Sequence, residues 1–408
     1  MTDLILQNCR LATMDPDRPG AYGAVEDAAL VIRDGKIAWA GPAADMVHHA
    51  QTPPATMSDL GGRLVTPALV DCHTHSVFGG DRTGEFEQRL NGVSYEEIAK
   101  AGGGIRSTVK ATRAASLEEL TQGAVRRLKT LRKGGVATVE IKSGYGLDVE
   151  TEIRMLRAAT AAAETCGMRV RRTHLGLHAL PPEYADRRAD YVRLICEEAL
   201  PAAHAEGLVD AVDAFCETIG FTPEETRQVF EKAKELGLPI RLHAEQLSDQ
   251  GGARLAAEFG ALSADHLEFL DDSGIAAMAA SGAVAVLLPG AFYFIRETKR
   301  PPVQALRDAG VPIAIATDLN PGSSPLLSPT LTLNMACTLF ALTPEEALAG
   351  MTREAARAMG VGAETGMIRE GYAADLAVWD VARPAEIAYW IGLPGPERLF
   401  IAGREVAQ

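Results

Sequence analysis

The chain of 408 residues carries 40 Lys+Arg against 54 Asp+Glu, a formal net charge of -14, which argues against a general binder of the nucleic-acid backbone and requires any anionic ligand to be met by a locally placed Arg or Lys. With 47% hydrophobic residues it can bury a sizeable core, and its six scattered cysteines (9, 72, 166, 196, 216 and 337), with no CxxC pair, are expected to be free thiols in a reducing compartment. No signal-like segment and no long apolar run is evident, so a cytoplasmic protein without a membrane span is expected.

From the N-terminus, Leu4–Gln7, Ala29–Arg33 and Lys36–Ala40 read as strands, with Asp34-Gly35 as a hairpin turn between the last two. Apolar runs then alternate with helix-length amphipathic stretches. The runs are Leu64–Val70, Ala137–Ile141, Val170–Leu177, Ala211–Phe215, Ile240–His243, Leu262–His266, Val284–Leu288 and Ile313–Thr317. The helical stretches include Leu117–Arg132, Val149–Thr165, Glu224–Leu236 and Gly251–Phe259, with Asp148 and Ser248 at N-cap positions and Gly237 at a helix stop. Ala374–Trp379 and Arg398–Ile401 return to strand character, with a turn at Ala402-Gly403-Arg404. Eight strands alternating with helices predict an α/β fold, a closed (β/α)8 TIM barrel rather than a doubly wound open sheet. The two β-rich ends are each too short to bury a core. They are expected to form one small β-sandwich domain from residues 1–62 and 360–408 beside a barrel of residues 63–359.

In such a barrel the chemistry sits at the C-terminal ends of the strands. Asp71-Cys72-His73-Thr74-His75 follows the first run and Lys142-Ser143-Gly144-Tyr145-Gly146 the second. His174 and His178 accompany the third, His243-Ala244-Glu245-Gln246 the fifth, Asp265-His266 the sixth and Thr317-Asp318-Leu319-Asn320 the eighth. A lone histidine after a strand is ordinarily a core or surface residue. The His73-x-His75 pair differs, because strand alternation puts both on one face roughly 6.5–7 Å apart at the backbone. Cys72, between them, reads as packing on the other face. Joined by a later His and Asp, the pair makes an imidazole and carboxylate set suited to zinc or iron with a position left for water.

This order of residues resembles the amidohydrolase superfamily, whose members use a (β/α)8 barrel with a β-rich domain from both termini. The resemblance implies that His73, His75, His243 and Asp318 hold one Zn2+ or Fe ion per chain. Two-metal members carry a Lys after the fourth strand, where this chain reads Ala214-Phe215-Cys216-Glu217-Thr218-Ile219-Gly220, so a single-metal site is implied; Lys142 follows the second strand and is no substitute there.

Within the superfamily several ordered segments are similar to the imidazolonepropionase family. They are Val77-Phe78-Gly79-Gly80-Asp81-Arg82, Ala101-Gly102-Gly103-Gly104-Ile105, Glu140-Ile141-Lys142-Ser143-Gly144-Tyr145-Gly146, His178-Ala179-Leu180-Pro181-Pro182-Glu183-Tyr184, Phe215-Cys216-Glu217, Leu288-Pro289-Gly290-Ala291-Phe292-Tyr293 and Asp318-Leu319-Asn320-Pro321-Gly322-Ser323. The resemblance implies hydrolysis of 4-imidazolone-5-propanoate to N-formimidoyl-L-glutamate in histidine degradation, and a homodimer. It also implies substrate contacts at Arg82, Tyr145, His178, Gln246, Asn320, Gly322 and Ser323, and catalytic duties for His266, Asp318 and Gln246. Arg82 suits a carboxylate bidentately, and Gln246 can both donate to and accept from a ring amide. Some relatives have Glu where this chain has Gln246, with Glu245 one residue before it. Which of Glu245, Gln246 and His266 does the acid–base work therefore stays open. The Gly102-Gly103-Gly104 run lacks the Gly-Lys-Ser/Thr of a phosphate loop and reads as a flexible lid.

Two rivals share much of this pattern. An aminohydrolase acting on an exocyclic amine, such as a purine or cytosine deaminase, would use the same ligands, but such deaminases usually have Glu at the place of Gln246. A non-catalytic metal-binding barrel would not need its polar residues gathered at one mouth.

Overall fold

The computed structural model describes residues 3–49, 56–93, 97 and 102–407. Its N-terminal strands are β1 (Leu4–Ala12), β2 (Ala24–Arg33), β3 (Lys36–Pro42) and β4 (Thr56–Pro67). Eight short strands follow: β5 (Leu69–Asp71), β6 (Val136–Lys142), β7 (Arg169–Leu177), β8 (Ala211–Cys216), β9 (Arg241–Ala244), β10 (Ser263–His266), β11 (Val284–Leu287) and β12 (Ile313–Ile315). The C-terminal strands are β13 (Leu376–Trp379), β14 (Arg398–Ile401) and β15 (Arg404–Val406).

The middle strands form one parallel eight-stranded sheet in sequence order, β5 to β12. It closes just beyond its two edge strands, where Thr74 and Leu319 form a parallel bridge. The (β/α)8 barrel is therefore present, and the open-sheet alternative is not. Helices Leu117–Lys133, Val149–Cys166 and Pro223–Glu235 match the predicted stretches to within a residue or two. Asp148 caps its helix by accepting from the Thr151 amide. Ser248 does not cap: helix Gly252–Glu258 starts after Gly251, and the buried Glu245 carboxylate takes its Gly252 and Ala253 amides at 2.6 and 2.9 Å. A carboxylate supplied from the preceding strand end thus does the work predicted for the adjacent hydroxyl.

The ends of the chain meet in one seven-stranded mixed sheet, ordered β15-β14-β13-β4-β1-β2-β3. Asp34 and Gly35 both adopt positive φ (52° and 77°), as a two-residue hairpin between β2 and β3 requires. The sheet curls until Lys36, at its β3 edge, bridges Ala373 just before β13. This encloses Leu6, Leu11, Leu30, Ile32, Val65, Leu376 and Phe400 in a core of their own.

The run Leu64–Val70, read as one barrel strand, is divided. Leu64–Pro67 pairs with β13 in the small sheet, and only Leu69–Asp71 joins β6 in the barrel. Both halves are apolar because each is buried, so composition alone carries no mark of the crossover. Trp379 ties the two bodies together. It sits on β13, its indole N–H donates to Thr66 Oγ1 at 2.9 Å, and its ring packs in the barrel's core cluster with Leu131 and Val136. Trp379→Ala is expected to lower the unfolding free energy by about 3–5 kcal/mol. Urea denaturation checks this; a loss below about 1 kcal/mol would show that the sheet and the barrel do not depend on the indole.

Candidate active site

Barrel closure brings the first and last strand ends together. Thr317 donates from its hydroxyl and its amide to Asp71, at 2.6 and 3.1 Å, across 246 residues of sequence. The Asp318 amide donates to the His73 carbonyl at 3.0 Å and the His75 amide to the Leu319 carbonyl at 2.8 Å. Desolvation pushes the Asp71 carboxyl up to about 7. On this seam the Nε2 atoms of His73 and His75 lie 3.5 and 3.6 Å from Asp318 Oδ1. His243 Nε2, from β9, lies 3.4 Å from His75 Nε2.

Two overlapping groups have their ligand atoms mutually within 4.8 Å: His73, His75 and Asp318, and His73, His243 and His266. These residues fit a metal ion. All are buried, and His73 Nε2 and Asp318 Oδ1 have no hydrogen-bond partner although no water reaches them. Such orphaned atoms are costly unless something binds them. Carboxylates also outnumber cations around them, with Asp71, Glu140, Asp213, Asp265 and Asp318 set against Lys142 and Arg241. Burial, then neighbouring positive groups, holds His73, His75 and His266 well below the usual imidazole range, as neutral rings with lone pairs to offer. Desolvation raises Asp318 well above the usual carboxylate range in the absence of a cation. His266 and Asp318 hold left-handed backbones (φ 85° and 52°), uncommon for such residues and associated with functional sites.

A cavity of about 570 Å³ opens over this cluster. Of the predicted residues, His75, His243, His266, Asp318, Arg82, Tyr145, His178, Gln246, Asn320, Gly322 and Ser323 all line it, and His73 lies buried beneath. Arg89, Ile105, Phe215, Ile219, Leu247 and Ile295 complete the lining and were not anticipated. Arg82 is held by Glu85 at 2.6 Å. That carboxylate also takes the Gly104 amide at 3.1 Å, so the last glycine of the predicted lid is tied to the arginine's own helix.

Three buried side chains shape the loops, two of them, Glu152 and Glu217, given no role by the sequence. Glu152 accepts from the amides of Gly144, Gly146 and Leu147 and so fixes the turn that presents Tyr145. Gly144 is required there: its φ is 104°, and a Cβ would come within 2.8 Å of the Leu175 carbonyl. Glu217 accepts from the amides of Leu247 and Ser248 and from the Ser248 hydroxyl, holding the loop of Gln246. Asn320 Oδ1 accepts from the amides of Gly322 and Ser323 at 2.8 and 2.7 Å. At two positions expected to contact substrate, the backbone amides are thus engaged within their own loop. Glu245 likewise turns from the cavity to its helix and leaves Gln246 on the lining.

His178 donates from Nδ1 to the Gly144 carbonyl at 2.8 Å, and burial pushes it down to about 4, so its Nε2 is an acceptor. His174 belongs to no part of the site. It is fully buried within β7, its Nε2 has no partner, and desolvation lowers it to about 4. Cys72 packs outward against Val70 and Val284, as expected, and all six cysteines are free.

The family model for the amidohydrolase family matches residues 64–406. The chain is 61% identical over 388 residues to an imidazolonepropionase of Ruegeria sp. (95% of each chain) and 59% identical over 391 residues to one of Ralstonia nicotianae (96% of this chain and 95% of the relative). It is 56% identical over 403 residues to one of Pseudomonas putida (99% of each). Among solved structures, a 5-methylcytosine deaminase of Klebsiella pneumoniae superposes with a TM-score of 0.74 at 19% identity (99% and 97% covered), a likeness of fold. The chain belongs to the amidohydrolase family and, within it, to the imidazolonepropionases. It is accordingly a hydrolase acting on a C–N bond, and its histidine-rich cluster has the donor atoms to hold a metal ion.

Because His174 titrates at about 6.5 when unfolded and at about 4 when folded, it contributes fully to stability above pH 6.5, and that contribution is lost as pH falls through 4. His174→Leu removes this pH dependence. Between pH 7 and pH 4 its stability relative to the unmodified chain should shift in the variant's favour by about 3 kcal/mol, read by urea unfolding. A difference constant with pH would contradict the burial argument.

Proposed function

We propose that this C–N hydrolase opens the ring of 4-imidazolone-5-propanoate to give N-formimidoyl-L-glutamate. The observation that carries the reading is one cavity holding both the histidine and aspartate cluster and, at its wall, Arg82, a guanidinium suited to a carboxylate tail. The family supports the substrate, since relatives at 55–61% identity are imidazolonepropionases.

In this proposal His73, His75, His243 and Asp318 hold one zinc or iron ion. When bound, the ion supplies Lewis acidity that makes water nucleophilic near neutral pH. The chain's residues do the rest. Asp318 accepts a proton as water attacks the ring carbonyl and returns it to the departing ring nitrogen. His266 faces the carbonyl carbon's developing oxyanion, a contact worth about 3 kcal/mol where such donors have been removed. Arg82 holds the propanoate, His178 Nε2 accepts a ring N–H, and the Gln246 amide reads the ring from the other side. Tyr145 closes the wall beside His75, their rings 5.8 Å apart. Asn320 holds the loop of Gly322 and Ser323 in shape, its side-chain amide donating to the Ser323 hydroxyl at 3.0 Å, so that Ser323 lines the cavity wall. Gln246 has no acid to offer a leaving exocyclic amine, which disfavours a deaminase despite the shared fold.

Loss of the ring chromophore in the presence of purified protein, abolished by chelation, tests the reading. His73→Ala should lose bound metal and activity together. Arg82→Ala should raise KM about tenfold or more with kcat largely kept, because it removes binding common to ground and transition states. Unchanged KM and kcat in that variant would remove the assigned substrate pose. His266→Ala should keep its metal and lose about 100-fold or more in kcat; loss of metal instead would make His266 a ligand.

A further inference from the structure

Beneath the histidines lies a lysine that the proposed chemistry does not use. Lys142 ends β6, is fully buried, and its ammonium donates to Glu140 Oε1 and to Asp213 Oδ2, both at 2.8 Å. Each carboxylate leads to a different part of the metal site. Asp213 Oδ1 accepts the backbone amide of His243 at 3.1 Å, and its Oδ2 lies 3.0 Å from His243 Nδ1. Glu140 Oε2 accepts the amide of Thr74 at 3.1 Å, while its carbonyl accepts the Thr74 hydroxyl at 2.7 Å. Thr74 is the residue between His73 and His75. One ammonium therefore joins the segment that carries two of the site's histidines to the strand that carries a third. A neighbouring arm repeats the pattern: His73 Nδ1 donates to Asp265 at 2.6 Å, and Arg241 donates to the same carboxylate at 3.0 Å.

We propose that Lys142 is a positioning residue for metal binding, acting through Asp213 on His243 and through Glu140 on the Thr74 backbone. A carboxylate facing Nδ1 selects the tautomer with that nitrogen protonated, so that Nε2 offers its lone pair toward the site. The Lys142 ammonium holds Asp213 Oδ2 from β6 and Glu140 Oε1 within β6, so one ion pair bridges β6 to β8 beneath the ligands and the other orients the carboxylate that holds the Thr74 amide. The inference rests on the reading that His73, His75, His243 and Asp318 hold an ion.

The test measures Zn2+ affinity of the metal-free full chain by competition with a chromophoric chelator, alongside its thermal unfolding. The set is the unmodified chain, Lys142→Met, Asp213→Asn and the double variant. Each single variant should bind Zn2+ about 10–100-fold more weakly, the range for lost partners of metal-bound histidines. The double variant should bind no more weakly than the worse single one, because both remove the same support. Multiplicative losses, or Zn2+ affinity unchanged within twofold in folded Lys142→Met, would overturn the proposal and leave the lysine a structural residue. If Lys142→Met does not fold, Asp213→Asn decides: unchanged affinity, with the His243 tautomer unaltered by 15N NMR, would overturn it equally. An unmodified chain that binds no Zn2+, Fe2+ or Co2+ would instead sink the metal reading itself.

Discussion

The seam between β5 and β12 is the constraint on which the site depends. A parallel sheet of eight strands has two edges until it closes, and here it closes through a few hydrogen bonds just past the strand ends. The bonds use the residues that flank the chemistry. Asp318 gives its amide to the His73 carbonyl, and His75 gives its amide to Leu319. Barrel closure and assembly of the cluster are therefore the same event, and neither the His73–His75 pair nor Asp318 can shift without opening the sheet. The Asp71 carboxylate, gripped by Thr317 one layer below, keeps the seam from sliding by a residue.

Around that seam the molecule accepts a concentration of buried charge that a merely structural barrel would replace with aliphatic side chains. Lys142, Arg241, Asp213, Asp265 and Glu140 fill the layer under the imidazoles where branched apolar residues are usual. Such burial is weak evidence for stability, because desolvation offsets much of the attraction. It is intelligible as orientation. Asp213 and Asp265 each have a cation on one side and the Nδ1 of a histidine on the other, and Glu140 has Lys142 on one side and the Thr74 backbone amide on the other. The outer layer follows the same economy: Glu152, Glu217 and Asn320 use buried acceptors to gather backbone amides, so that Tyr145, Gln246 and Ser323 reach the cavity from loops of fixed shape.

The elements that the sequence misread share a cause. Leu64–Val70 is apolar except for Thr66 because it is buried twice, first in the small sheet and then in the barrel, and a hydrophobic pattern reports burial without saying against what. Ser248 has the right chemistry and position for a helix cap, yet it donates its hydroxyl to Glu217, just past β8 and 31 residues earlier. Gly322 and Ser323 line the cavity as expected, with their amides taken by Asn320. At Ser248 and in the Asn320 loop a side-chain acceptor took a donor whose partner local propensity cannot assign.

What the sequence determined by itself is the periodic part: eight apolar runs with helices between them, strand-rich ends, and histidines and an aspartate placed after strands, where alternation puts His73 and His75 on one face. These follow from covalent spacing and the repeat of a strand, so any fold respecting them would carry them. Only the tertiary structure decided which lone pairs converge, that Gln246 rather than Glu245 reaches the cavity, that His174 stays in the core, and that Lys142, two residues from Glu140 but 71 from Asp213, lies between them. Convergence is a property of closure, since the distance between side chains on different strands is set by the barrel's circumference and by the buried charges that fill it.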